Sequence, residues 1–261
     1  MGVIQPGMCP LCNAEAKSLW PEVKVCRCLS CSLLFRDPVP SPEQLEDLYT
    51  TSWSDPGIQV NETGATDLHL ARVYAHQLAR SLRKNDLKGL RILDYGAGRG
   101  AMTKVLVDAG ADVCCVDPYG YPYLQQSGYK AFPSLQDLPQ GIVFDGIISL
   151  DVAEHLPVPW DDYRTLNQRL SENGWLYLST PNAAGIRAQS AQGKWRELHN
   201  RGHLFFFTPS TLQRLLVKSG YNNIRRLRWY INYHKGPMRV FSHWLLQLLW
   251  IDGELRYLAF K

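Results

Sequence analysis

Seven residues, Asp94-Tyr95-Gly96-Ala97-Gly98-Arg99-Gly100, stand between a strand pattern and a helix pattern and leave few folds open. Glycines at this spacing let the backbone turn tightly and let a ligand come close to the first turn of the following helix. Such a loop belongs at the end of a strand in an α/β sheet, and the surrounding sequence agrees. Short apolar runs at 91–95, 112–117, 129–132, 144–151 and 175–180 alternate with helical patterns. That alternation predicts a doubly wound, mostly parallel sheet with helices on both faces.

The rest of the chain divides around this core. Leu68, Ala71, Ala75, Leu78, Ala79 and Leu82 recur at helical spacing after Thr66, which predicts an amphipathic lead-in helix. Thr208-Pro209 reads as a cap with proline at the first helical position, before Leu212, Leu215 and Leu216 and a stop at Gly220. Strand-like runs at 223–233 and 254–260 flank an apolar helix at 239–251. The run Asp37-Pro38-Val39-Pro40-Ser41-Pro42 resists regular structure, because proline lacks an amide donor and restrains its predecessor. The boundaries follow: a small cysteine module at 1–36, a linker and lead-in helix at 37–88, and the main domain at 89–261. With 261 residues, 45% of them hydrophobic, the chain can bury one full core beside a small appendage.

The glycine spacing also suits a dinucleotide, so the acids decide between cofactors. A pyrophosphate at this loop would be repelled by Asp94, two residues before the first glycine. S-adenosylmethionine carries an ammonium and a sulfonium and no phosphate, so the same carboxylate is an asset. Asp117, at the end of the second strand, is suited to both ribose hydroxyls; the plainer alternative is an acid capping the next helix.

These features resemble the class I S-adenosylmethionine-dependent methyltransferases over roughly residues 66–261. The likeness rests on the D-x-G-x-G-x-G loop, Asp117, and the segment from Phe144 to Leu156, which looks like the family's fourth strand running into its Glu-His motif at Glu154-His155. The stretch His203-Leu204-Phe205-Phe206-Phe207-Thr208-Pro209 resembles a bacterial subgroup that often carries two Cys-x-x-Cys pairs at its N-terminus. The resemblance implies a seven-stranded sheet whose last strand is antiparallel and inserted beside the fifth. It also implies that Gly96, Gly98 and Gly100 approach the cofactor and that Asp117 holds the ribose. Residues 135–137, Leu135 foremost, would lie near the adenine, with Leu150 and Asp151 beside the methionine portion.

Cys9-x2-Cys12 and Cys28-x2-Cys31, fifteen residues apart, have the spacing of a four-thiolate zinc ribbon, and the intervening 19–25 stretch could form a hairpin. So small a segment has little apolar core, and Zn2+ would supply much of its folding energy. Cys26 could replace Cys28 as a ligand. Cys114 and Cys115 lie in an apolar strand and read as small hydrophobes. The N-terminus shows no export or lipid-anchor pattern, and 241–251 is too short to span a bilayer, so a cytoplasmic location without membrane insertion is expected. A net charge of +4, with Lys and Arg interspersed among Asp and Glu, permits an acidic partner without requiring one.

A hydroxyl acceptor needs a base, and His155 and His203 follow the fourth and fifth strands at the ligand-binding edge. His203 is narrowly preferred, because the loop after the fifth strand commonly faces the acceptor; either histidine could instead be structural. Tyr49, Trp53, Tyr119, Tyr121 and Tyr123 could line an aromatic pocket or merely pack. The subgroup resemblance tilts the acceptor toward a small metabolite or glycan. Two other readings stand beside it: an RNA methyltransferase gripping its substrate through the ribbon, and a catalytically silent cofactor-binding module. Against RNA, the ribbon lacks a Lys/Arg run and no Asn- or Asp-Pro-Pro-aromatic motif follows the fourth strand.

Overall fold

A computed structural model describes residues 7–54, 65–228, 237–249 and 251–261. The cysteine module contributes three strands, β1 (Ala16–Trp20), β2 (Val25–Cys28) and β3 (Leu34–Arg36). Two helices follow, α1 (Pro42–Ser54) and α2 (Ala65–Ser81). The main domain then runs β4 (Arg91–Tyr95), α3 (Ala101–Asp108), β5 (Asp112–Val116), α4 (Tyr121–Gln126), β6 (Lys130–Phe132), β7 (Phe144–Leu150), α5 (Pro159–Gln168) and β8 (Leu170–Pro181). After β8 come α6 (Ile186–Ala191), α7 (Arg196–His199), β9 (Phe205–Phe206), α8 (Pro209–Lys218), β10 (Asn222–Arg226), α9 (Pro237–Leu248) and β11 (Glu254–Phe260).

Seven strands form one sheet in the order β10-β11-β8-β7-β4-β5-β6. The central strands β8, β7, β4, β5 and β6 pair parallel, while β11 lies antiparallel between β8 and β10, as the family resemblance implies. Ile92, Leu93, Ile147, Ile148, Leu176 and Leu178 have no exposed surface, which is what a sheet covered on both faces demands. Helix α8 matches its expected cap: the Thr211 amide donates to Thr208 Oγ1 at 3.3 Å, and Thr208 returns its own amide to Thr211 Oγ1 at 2.8 Å.

The proline run holds a surprise. It is irregular only as far as Ser41, where a capping box begins a helix: Gln44 N–H donates to Ser41 Oγ at 3.3 Å and Ser41 N–H to Gln44 Oε1 at 2.9 Å. Pro42 takes the first helical position, where its missing donor costs nothing. Residues 229–233 of the predicted 223–233 strand lie outside the described residues, as does the Trp53 side chain.

The small sheet extends beyond the cysteine module. Its order is β1-β2-β3-β9, so two phenylalanines of the main domain complete it. Cys9, Leu11, Cys28, Cys31 and Phe35 belong to the same buried cluster as Leu204, Phe205 and Leu212. The chain boundary near residue 37 is therefore not a packing boundary.

Candidate active site and cysteine centre

The parallel strands β4, β5 and β7 end together, and the loops after them enclose a cavity of about 460 Å³. Gly96, Asp117, Leu135, Asp151 and His155 all line it, together with Leu45 and Tyr49 from α1. This is the edge where order reversal between neighbouring strands opens a crevice in such sheets.

The glycines divide their work. Gly96 sits at φ +77°, and a methyl group there would overlap Val152, so only glycine keeps the loop in place. Gly98 (φ +54°) would meet nothing within 4 Å and donates its N–H to Asp117 Oδ2 at 2.8 Å. Gly100 begins α3, and the space of its missing side chain is filled by Leu124, so it serves packing and not the cavity. Asp94 also stays out of the wall. It is buried and accepts a hydrogen bond from Thr103 Oγ1 at 2.6 Å, and burial raises its carboxyl to about 6.

Asp117 accepts three backbone N–H bonds, from Gly98 at 2.8 Å, Tyr119 at 3.0 Å and Gly120 at 2.6 Å. It thus caps its own loop, as the plainer reading expects, and it also lines the cavity. A carboxylate offers about four lone-pair directions, which leaves one for a ligand. Asp151, at φ +53°, is a non-glycine residue in the left-handed region at the cavity wall, whereas Leu150 before it packs inside.

The two histidines do not share a position. His155 lines the cavity, and its Nδ1 lies 2.8 Å from the Tyr49 hydroxyl and 2.9 Å from the Gly202 carbonyl oxygen. A carbonyl only accepts, so Nδ1 carries the hydrogen and Nε2 the lone pair. His203 stands behind it, 5% exposed, with ring centroids 4.6 Å apart. Burial, then the neighbouring His155 and Arg36, depress His203 to about 3, whereas burial lowers His155 less far. Among the described residues His203 Nδ1 has no hydrogen-bond partner, and it lies 3.5 Å from Glu197. Of the two candidate bases, His155 stands in the cavity wall and His203 behind it.

Glu154 carries the histidine pair from behind. Thr180 Oγ1 donates to one carboxyl oxygen at 2.8 Å, and the Leu204 and Phe205 amides donate to its backbone oxygen at 2.7 and 3.2 Å. Tyr49 and Tyr119 stack with ring centroids 5.2 Å apart and both line the cavity, whereas Tyr121 and Tyr123 do not. Tyr49 and Tyr119 were among the aromatics the sequence offered for a pocket, but the helix α1 that carries Tyr49 was hidden by its proline-rich start. A larger cleft of about 840 Å³ opens between the cysteine module, α1 and α7, with Leu45 common to both spaces.

In the cysteine module the two Cys-x-x-Cys turns repeat one geometry. Asn13 (φ 57°) and Ser32 (φ 63°) are left-handed, and each donates its amide to the carbonyl of the first cysteine of its turn, Cys9 at 2.8 Å and Cys28 at 3.2 Å. Sulfur pairs Cys9–Cys31 and Cys12–Cys28 lie 3.5 Å apart, and one sulfur from each of the four comes within 4.8 Å of the others. Tetrahedral Zn–S bonds of about 2.3 Å place sulfurs about 3.8 Å apart, so the donor set fits that ion. Burial pushes the Cys28 thiol up, but the amides of Cys31 and Ser30 outweigh it and bring it down to about 7. Cys26 turns instead to Asp37, at 3.9 Å. Arg36 fastens the module to the active-site loop, donating to the carbonyls of Val23, Leu198, Asn200 and His203 at 2.7–2.8 Å.

Comparisons with known proteins agree with this architecture. Ubiquinone biosynthesis O-methyltransferase of Azorhizobium caulinodans is 32% identical over 168 residues, covering 58% of this chain and 65% of that protein. The tRNA U34 carboxymethyltransferase of Pseudomonas fluorescens is 28% identical over 181 residues, covering 65% of this chain and 54% of that one. The chain thus spans less than two thirds of the length of these relatives. Among solved structures, the Burkholderia thailandensis 1,6-didemethyltoxoflavin-N1-methyltransferase, with its substrate and S-adenosylhomocysteine bound, superimposes with a TM-score of 0.54. It is 16% identical, and the match covers 89% of this chain and 97% of that one, a likeness of fold. Residues 67–226, more than half of the chain, match the methyltransferase-domain family, and the chain belongs to it.

Proposed function

We propose that this protein transfers the methyl group of S-adenosylmethionine to a hydroxyl of a small metabolite or glycan, with His155 as general base. The observation that carries the reading is one cavity bounded on one side by Gly96 and Asp117 and on the other by His155, whose Nε2 is left unprotonated. When bound, S-adenosylmethionine supplies an electrophilic methyl group. Asp117 would accept from the ribose, Leu135 would pack against the adenine, and Asp151 would face the ammonium. Asp94, buried behind the loop, acts through its field and not by contact. His155 Nε2 would take the acceptor proton while Gly202 and Tyr49 hold its ring. A relative named for O-methylation supports a hydroxyl acceptor. We also propose that Cys9, Cys12, Cys28 and Cys31 hold one Zn2+.

The test follows S-adenosylhomocysteine release over a panel of hydroxylated metabolites, glycans and tRNA, with calorimetry against S-adenosylmethionine and NAD. Turnover on a hydroxyl acceptor is expected. NAD binding without S-adenosylmethionine binding would overturn the cofactor, salt-sensitive tRNA turnover would overturn the acceptor, and cofactor binding without turnover would favour a silent module.

A further inference from the structure

Two buried polar atoms beside the active-site histidine are left bare. Glu154 is 1% exposed and His203 5% exposed, yet among the described residues neither Glu154 Oε1 nor His203 Nδ1 has a hydrogen-bond partner. Buried polar atoms are nearly always paired, so two orphans side by side ask for a missing group. They belong to one cluster: a carboxylate oxygen of Glu154, a ring nitrogen of His155 and a ring nitrogen of His203 all lie within 4.8 Å of one another.

A shared proton does not satisfy this pair, because it would need hydrogen-bond contact, and Glu154 Oε1 and His203 Nδ1 make none. A metal ion sits between donors that do not touch. Bonds of about 2.0–2.2 Å to a tetrahedral ion put nitrogen and oxygen donors roughly 3.4 Å apart, a spacing within reach of this cluster.

The neighbours hold the donors as metal ligands are usually held. His155 Nδ1 carries its hydrogen toward the Gly202 carbonyl oxygen at 2.9 Å, which leaves Nε2 for an ion. Thr180 Oγ1 fixes the other carboxylate oxygen of Glu154 at 2.8 Å. Glu197 Oε2 adds negative charge 3.5 Å from His203 Nδ1, while Arg196 takes Glu197 Oε1 at 2.6 Å. An opposing cation, Arg36, is occupied by four backbone carbonyls. Because His155 lines the cavity of about 460 Å³, an ion has a way in.

We propose that Glu154, His155 and His203 form a metal site, separate from the four cysteines, for one divalent transition-metal ion entering from the cavity. Two imidazoles and one carboxylate suit Zn2+, Fe2+ or Co2+, whereas Mg2+ prefers oxygen donors alone. The consequence rests on the base reading: an ion on Nε2 takes the lone pair that His155 needs, so the loaded protein is blocked and the ion-free triad is the active form.

Equilibrium dialysis of the full chain against Zn2+, followed by elemental analysis, reads the site without any turnover. Wild type is expected to hold one zinc ion more per chain than His203→Phe, which keeps a ring and removes its nitrogens. The same deficit is expected in Glu154→Gln, which keeps an acceptor for Thr180. Excess Mg2+ should not displace the ion, and unchanged S-adenosylhomocysteine affinity checks the fold of each variant. If neither variant folds, zinc K-edge X-ray absorption of the loaded wild type decides, with a nitrogen and oxygen shell at about 2.0–2.2 Å expected. Equal zinc in wild type and a folded variant, a sulfur shell alone, or displacement by Mg2+ would each overturn the proposal. Zinc bound at the triad with turnover intact would uphold the site and break the base reading instead, so the two failures are distinguishable.

Discussion

At the glycine loop the polar groups are already satisfied by the protein itself: Asp117 accepts three backbone amides, and Asp94 is held by Thr103. At the cysteine turns the backbone is equally well made, but four sulfurs face one another with little except thiol contacts between them. One region is preorganised by its own chain, and the other has the donor set that the proposed zinc ion would complete. The two meet physically, because β9 joins the small sheet and Arg36 binds the carbonyls around His203. If the module holds the proposed zinc, a metal-dependent element supports one wall of a self-supporting site.

Removing the proposed zinc is the severest way to break this contrast. Structural zinc contributes roughly 10–16 kcal/mol to the folding of small peptides. Chelation or Cys28→Ser should therefore unfold the module, seen as protease cleavage within residues 7–36 and loss of zinc by elemental analysis. Cofactor affinity should persist because the glycine loop does not depend on the ion, while turnover should fall as the Arg36 clamp is lost. Loss of cofactor binding at the same metal concentration would show that the two regions are equally dependent.

His155→Ala comes next. It should lower turnover by about 10²–10⁴-fold with cofactor affinity retained, the usual contribution of a positioned base. Burial holds His155 below its ordinary value of 6.5, and a base must be unprotonated. The midpoint of the acid limb of the wild-type rate profile should then lie below pH 6.5. An acid limb centred above 6.5, or a variant with unchanged turnover, would move the role to another group. Asp117→Ala should weaken cofactor binding by roughly 1.5–3 kcal/mol, measured by calorimetry, since it removes both a ligand contact and the loop's own cap. In contrast, replacing Cys114 by Ala should change little, because it is buried in an apolar strand and lines neither the cavity nor the four-sulfur cluster.

Much of this was legible in sequence because it rests on local rules. The glycine loop, the alternating strands, the cap at Thr208 and the Cys-x-x-Cys spacing each follow from a few neighbouring residues, and the structure has the loop, the strands and the cap where they are expected and brings the four cysteines together. What was hidden depends on contacts across the chain. Nothing local in Arg36 announces four carbonyls up to 167 residues away, and nothing in Ser41-Pro42 distinguishes a capping box from a proline-rich break. Gly100 looks like its two companions, and only the position of Leu124 shows that it serves packing. The relative placement of the histidines was hidden for the same reason: loop order puts both at the sheet edge, but His155 stands in front, against Tyr49 and Gly202.

Tyr49 supplies the finest test, because it lies on α1 between the two regions and touches His155 from the linker side. Its hydroxyl is 2.8 Å from Nδ1 and donates to the Gly202 oxygen at 3.3 Å, so its lone pair is turned toward the imidazole N–H. That contact favours the charged imidazolium formed when His155 takes a proton. Tyr49→Phe keeps the ring stacked on Tyr119 and removes only the hydroxyl. The net value of one such bond is about 0.5–1.5 kcal/mol, which corresponds to a rate loss of roughly 2–12-fold. Losing a group that stabilises the protonated ring lowers its affinity for protons, so the acid limb of the rate profile should shift to lower pH. A tyrosine that only fills space would reduce the rate without moving that limb, and a limb that stays in place would confine the linker to a packing role.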